Sequence, residues 1–450
     1  MVTNTVVSQE GSEPGVMVCR WRWEVLAIIL ALALQVIYFT GFVSSDDGNY
    51  VRLVYFLRDG QPIPEDLHYF IGRFVHWGAL LLAVSVWPRH IQAIAVVPML
   101  ATLMTFPVIW AFARRYLNPR IAPLALFIFG LTPIVVINAS VAVPDPLAMV
   151  FGWTGVYLAA GALLQRDTPR AGLRCLAAGL LIAVGYNAKE STMAMVPGLM
   201  LFVFLFRTRC LWAWKRAVFL GLGAGLWLAG EMIGMAVLYG NPFFHKHAIT
   251  IAQRIGGPFA ELTPVGLLLH WTDYLRWLLD PRGDYALMGP VLLAGIIHGF
   301  LARKDALRLL LCVIMPILLY LSFGSSEFGR YVPLAHQSRY LLPILPGMAL
   351  LAADMVGRLW QRGPRTRRVT TVAAAIVLVT SLWAPNRLAG KWYYADVFQS
   401  GYRLLADHQA DLRNQKLYAA QITWNRLFLA PHYLDIPELE VINPIPITGR

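Results

Sequence analysis

The sequence predicts an all-α polytopic membrane protein of about eleven transmembrane helices, with external interfacial helices and a small external C-terminal α/β appendage. Three observations predict it. Of 450 residues, 58% are hydrophobic and only 14% are charged, whereas a soluble domain carries about a quarter. The mean hydropathy is +0.56. Apolar runs of roughly 17–22 residues recur along the chain, the length that crosses a hydrocarbon core. The net charge of +13 does not point to nucleic acid. The basic residues fall in short clusters between apolar runs, as in cytoplasmic loops. The sequence has no zinc-finger spacing, Walker loop or Rossmann glycine pattern.

Taken in order, the first apolar run is Trp23 to Val43, after Arg20 and Arg22. It is long for a signal-peptide core, and no small-x-small cleavage site precedes Asp46. The expectation is an uncleaved anchor with a cytoplasmic N-terminus. Residues 44–91 then form a first external loop. Within it, 69–87 ("YFIGRFVHWGALLLAVSVW") is apolar enough to span but carries Arg73 and His76. Charge placement decides its status. If it spans, every later basic cluster, such as Arg114/Arg115/Arg120 and Arg166/Arg170/Arg174, moves outside, against the positive-inside rule. The segment is therefore expected to lie at the interface or re-enter, with Arg73 and His76 facing protein or water.

Further spans are expected at 92–112, 121–138, 147–164, 172–187, 192–206, 217–238, 286–302, 307–323, 340–357 and 370–384, so that 1–384 is the membrane domain. Residues 239–285 form a second long external loop. The tail 385–450 is external, with helix-like and strand-like patches. Cys19, Cys175 and Cys210 fall at the cytoplasmic side and Cys312 within a span, so no structural disulfide is expected.

This topology puts the remaining polar residues on one face. The first loop brings Asp46, Asp47 and Tyr50, the next Asp145, the next Lys189 and Glu190, and a late loop His336, Arg339 and Tyr340. The Asp pair either caps an interfacial helix starting near Asn49, or does chemistry, one carboxylate acting as general base beside a neighbour that resists simultaneous ionisation. Asp145 is an ordinary helix start before Pro146, or an acid of the site. Lys189 and Glu190 form a solvated turn, or Lys189 meets a lipid-borne phosphate. Arg339 is a snorkelling anchor, or a second phosphate clamp. Glu231 lies inside a span with no partner evident from sequence. His245 and His247 ("HKH") are weak as metal ligands.

The ordered set "SDDGNY", "PDPLAMVFG", "GLLIAVGYNAKES" and "SRYLLPILPGMALLA" resembles the GT-C superfamily of membrane glycosyltransferases, in particular the branch of aminoarabinose transferases and protein O-mannosyltransferases. The resemblance covers roughly residues 20–360. It implies a reaction at the outer face of the membrane, in which a sugar on a polyprenyl phosphate passes, with inversion, to an acceptor hydroxyl. It assigns Asp46 as base or acceptor-orienting group with Asp47 beside it, Asp145 as the second external acid, Lys189 on the donor phosphate, and Arg339 with Tyr340 near the donor. Asn49 stands where many members have Arg, and "EDLHYFIGRF" where many have a Pro-Pro sequence; both departures fall on the acceptor side.

The expectation is an inner-membrane, multi-pass glycosyltransferase with its active site and C-terminus periplasmic. Its partners would be a polyprenyl-phosphate-linked sugar donor, a lipid, glycan or protein acceptor, and membrane lipids. Asp46 and Asp47 are the catalytic candidates, and Lys189, Arg339 and Tyr340 the phosphate side. Asp145, Glu190, Tyr50, Arg73, His76 and His336 are supporting or substrate-binding. No cofactor is demanded, although some branches use a divalent metal. The alternative is a transporter or flippase of lipid-linked sugars, against which stand the absence of a sequence repeat and the single deep carboxylate, Glu231.

Overall fold

The computed structural model describes residues 14–41, 46–87, 93–256, 264–325, 331–334, 336–391, 416–418 and 440–442. Helix α1 (Pro14–Ile37) is followed by α2 (Asp46–Arg58). Helix α2 starts at the acidic pair itself and not near Asn49 as expected. Both carboxylates thus occupy its first turn, where the positive end of the helix dipole favours them. A 3-10 turn (Glu65–Leu67) runs into α3 (His68–Ile71); the chain breaks at Gly72 and Arg73, and α4 (Phe74–Val86) leaves at 103°. Segment 69–87 is therefore no straight span. Arg73 and His76 are buried in protein at and just after the bend.

Helix α5 (Ala93–Tyr116) is continuous. The expected span 121–138 is instead split into α6 (Ala122–Gly130) and α7 (Pro133–Asn138). Pro133 has no N–H to continue the ladder, and the Thr132 hydroxyl donates to the Ile128 carbonyl at 2.6 Å. Then follow α8 (Asp145–Leu164), α9 (Ala171–Tyr186), α10 (Met195–Phe206) and α11 (Leu211–Tyr239). The loop 239–285 holds α12 (Phe244–Gly256), α13 (Pro264–Trp271) and α14 (Asp273–Leu279). Helices α15 (Met288–Leu301), α16 (Asp305–Phe323), α17 (Leu345–Gln361) and α18 (Pro364–Lys391) complete the bundle.

Among the described residues six helices are long and apolar enough to cross a membrane, or seven if the bent pair counts as one span. Four other apolar helices, 119–130, 171–186, 190–206 and 288–301, are shorter, so length alone does not fix the expected eleven. Most of the expected C-terminal appendage lies outside the described residues. Within it, β1 (Lys416–Tyr418) pairs in parallel with β2 (Glu440–Ile442), Lys416 opposite Glu440.

Small residues set the close helix crossings, as expected where lipid competes with side chains for apolar surface. Helices α9 and α11 cross at two glycines. A Cβ on Gly179 would fall 2.0 Å from the Leu220 carbonyl oxygen, and one on Gly223 would fall 2.1 Å from that of Leu176. Trp153 of α8 is fully buried and donates its indole N–H to the Pro343 carbonyl at 2.6 Å. That bond fastens α8 to the 3-10 turn Ser338–Ile344, which leads into α17. A second such turn, Glu190–Ala194, leads into α10.

Candidate active site

Residues just before or within four first helical turns line one cavity of about 140 Å³: Asp46 of α2, Asp145 of α8, Lys189 and Glu190 before α10, and Arg339 and Tyr340 before α17. The N-terminal end of a helix offers unpaired N–H groups and a positive dipole end. Their convergence makes this end of the bundle receptive to negative charge. Tyr69, Arg73, Ser191 and Tyr320 complete the polar part of the wall.

The charges meet as three ion pairs, each between distant chain segments. Arg339 donates an Nη2 hydrogen to Asp46 Oδ2 at 2.5 Å. Lys189 Nζ donates to Asp145 Oδ1. Arg73 grips Glu190 with two parallel bonds, Nε to Oε1 at 2.8 Å and Nη2 to Oε2 at 3.0 Å, the fork geometry of a strong guanidinium–carboxylate pair. The ammonium of Lys189 also sits 3.8 Å from the centre of the Tyr340 ring. Burial pushes Lys189 down to about 8, against the pull of Asp145. Of the three acids, Asp46 is the open one: its side chain is 39% exposed, against 1% for Asp145 and 20% for Glu190.

A second set of residues holds Arg73 in place. The hydroxyls of Tyr50 and Tyr69 each accept a hydrogen bond from Arg73 at 2.6 Å. His76 lies edge-on to Tyr50 at 4.4 Å and donates Nε2–H to the Ala142 carbonyl at 3.1 Å. Glu190 continues outward to His245, 3.5 Å away, whose other nitrogen is 2.6 Å from Glu231. Burial works against charge on His245, but the two glutamates on either side raise it to about 9. For Glu190 burial likewise opposes ionisation; Arg73 and His245 outweigh it and hold the carboxyl below its usual range. Gly72 makes room for this bridge, since a Cβ there would fall 1.9 Å from the His245 ring.

The structure therefore gathers Asp46, Arg73, Asp145, Lys189, Glu190, Arg339 and Tyr340 around one cavity. Tyr50 and His76 stand behind Arg73, off the cavity wall. Asp47 is fully buried while Asp46 faces the cavity. His336 is not on the cavity wall; its Nε2 donates to the carbonyl of Leu321, which is, at 2.7 Å. His336 with His270 and Asp273 is the one group of three metal-ligating side chains in mutual reach among the described residues. Sequence reasoning missed the partner of Glu231, which is His245 and not a residue of the bundle. It also missed Tyr69 and Tyr320, for which a tyrosine at a membrane interface is too common a signal.

Beside the polar cavity lies an apolar one of about 640 Å³, walled by α2, α9 and α11 and by Ile71 and Phe74 on either side of the bend, with Glu231 at its edge.

The family model described as dolichyl-phosphate-mannose-protein mannosyltransferase matches residues 75–232. In fold the chain is similar to ArnT of Cupriavidus metallidurans bound to undecaprenyl phosphate, with a TM-score of 0.63 and 15% identity over 94% of this chain and 86% of that one. For ArnT in the apo state the values are 0.61 and 16% over the same shares. It is also similar to an oligosaccharyltransferase of Archaeoglobus fulgidus in complex with Zn and sulfate, at 0.55 and 12%, over 94% of this chain but only 62% of that one. No curated protein matches the chain. The fold is that of the GT-C membrane glycosyltransferases, and the chain is a multi-pass membrane protein.

Proposed function

We propose that this GT-C-fold chain transfers a sugar from a polyprenyl phosphate to an acceptor hydroxyl at the outer face of an inner membrane. One observation carries the reading: an open carboxylate, Asp46, is paired with a buried guanidinium, Arg339, in a cavity that also holds Lys189. The leaving group of such a donor is a lipid phosphate, which needs positive charge and not a general acid. Lys189 and Arg339 supply it. The nucleophile is a weak hydroxyl, which gains from a carboxylate base.

The pairing suggests an order of events. Without donor, Arg339 occupies Oδ2 of Asp46. A phosphate entering the cavity competes for Arg339 and Lys189, releasing that oxygen to accept the acceptor's proton. The acceptor oxygen then bonds to the anomeric carbon from the face opposite the phosphate. The bond from that carbon to the phosphate oxygen breaks, and the polyprenyl phosphate leaves with both electrons, held by the two cations. The configuration inverts. Asp145 keeps Lys189 in place, and Arg73 with Glu190 braces the floor. The apolar cavity beside the bend supplies room for the part of the lipid nearest the phosphate.

The match to the mannosyltransferase family model and the likeness to an ArnT bound to undecaprenyl phosphate support this choice of donor. The test is transfer of radiolabelled sugar from a polyprenyl phosphate donor by Asp46→Asn in membranes or detergent. The expected rate falls by about 10²–10⁴ with the elution profile of the protein unchanged. Undiminished turnover overturns Asp46 as base.

A further inference from the structure

Behind the Leu321 side of the cavity, two histidines and an aspartate from separate segments face one another. His270 belongs to the last turn of α13, Asp273 opens α14, and His336 lies three residues before Arg339. Nδ1 of His336 is 3.3 Å from Asp273 Oδ2, and Nδ1 of His270 is 3.6 Å from the same oxygen. Ligand atoms of all three lie within 4.8 Å of one another. The other oxygen, Oδ1, is taken by Arg276 at 3.1 Å. The Leu321 carbonyl can only accept, so His336 carries its hydrogen on Nε2. In the neutral ring Nδ1 then holds a lone pair aimed at a carboxylate oxygen. Two acceptors at this distance repel unless a positive species lies between them.

We propose that His270, Asp273 and His336 bind an imidazole-favouring divalent cation of the zinc class, which clasps the segment bearing Arg339 to α13 and α14. Ligands about 2.0–2.1 Å from a tetrahedral zinc stand about 3.3–3.4 Å apart; the His336 separation of 3.3 Å matches that figure, and the His270 separation of 3.6 Å is slightly longer. Two nitrogens and one carboxylate oxygen suit zinc, whereas magnesium and calcium prefer oxygen throughout. The bond from His336 to Leu321 is the outer hydrogen bond that orients a metal-bound imidazole. The two rings now stack at 3.5 Å and 9°. Uptake of the ion splays them, tilting His270 while Leu321 holds His336. The site does not depend on the sugar-transfer reading.

The test uses the full-length chain in detergent, stripped with a chelator, loaded with zinc sulfate and freed of unbound metal by gel filtration. Metal content and melting temperature are the readouts. Relative to wild type, H336Q and D273N lose about one equivalent of zinc and the zinc-induced rise in melting temperature. H298Q keeps both, because His298 pairs with Asp354 at 2.9 Å elsewhere in the bundle. Equal zinc content in wild type and H270Q/H336Q overturns the site, as does a wild type that takes up no zinc, which leaves a protonated His–Asp pair. If a variant fails to fold, Co²⁺ loading of wild type decides: a strong tetrahedral visible spectrum supports the site, and only the weak octahedral bands overturn it.

Discussion

Two ends of this helix bundle use the same residue types differently. At the cavity end, Arg73, Lys189 and Arg339 are each buried and paired with a carboxylate from a distant segment. Two cations at helix ends elsewhere cover carbonyls instead. Arg216 of α11 donates to the backbone oxygens of Ala162 in the last turn of α8 at 2.5 Å and of Gln165 just past it at 2.7 Å. Lys304 donates to the Leu117 carbonyl at 2.6 Å, past the end of α5. These carbonyls are unsatisfied backbone groups at the negative ends of dipoles, and water can replace the cation. Nothing so cheap replaces a carboxylate opposite a buried guanidinium. The cations at the cavity are thus buried against long-range acids, whereas Arg216 and Lys304 cover carbonyls.

The contrast breaks most visibly at Glu190. Glu190→Gln strands Arg73 and is expected to destabilise the fold by about 3–5 kcal/mol, read as a lower melting temperature in detergent. A loss no larger than that at Arg216 would put the two ends on equal terms. Next is Lys189→Gln, expected to lower kcat/KM for the donor by about 10²–10³. Because Lys189 titrates at about 8, the wild-type KM for donor should rise as pH passes that value and the ammonium is lost. The variant should lack this rise; a flat wild-type profile would remove Lys189 from the phosphate.

His245 comes third. Its folded value of about 9 lies above the ordinary 6.5. The charged bridge therefore contributes fully below about pH 6.5, and that contribution is lost as pH rises through about 9. Lys189 acts in the opposite sense, adding stability between about 8 and 10.5, so the slope is clearest from pH 6.5 to 8. There the melting temperature of wild type should fall with pH and that of His245→Gln should not. The loss in the variant is about 1.5–3 kcal/mol at pH 6, the scale of hydrogen bonds to charged groups. Smallest is Arg216→Gln, expected to cost less than about 1 kcal/mol and to leave sugar transfer unchanged.

What the sequence made legible follows the same division. Asp46 could be read because it follows the first long apolar run, and Asp145, Lys189 and Arg339 because each precedes one, where charge is expensive. Their pairing could not, because the partners lie 44 and 293 positions apart. The bend at Gly72 and Arg73 was half legible: charge placement kept 69–87 from being a span, but only the packed His245 ring shows why a glycine stands there. His336 stands three residues before Arg339 in sequence yet off the cavity wall. The extended stretch before the 3-10 turn points it instead toward α13 and α14.

The 293-residue gap between Asp46 and Arg339 also has a meaning in time. Chains are made at about 5–20 residues per second, so Asp46 leaves the ribosome about 15–60 s before its counter-ion. Through that interval the acid has no Arg339 beside it, and the cavity wall is complete only once the turn before α17 is made. A chain stopped short of α17 would hold most of the membrane domain and an unfinished cavity wall.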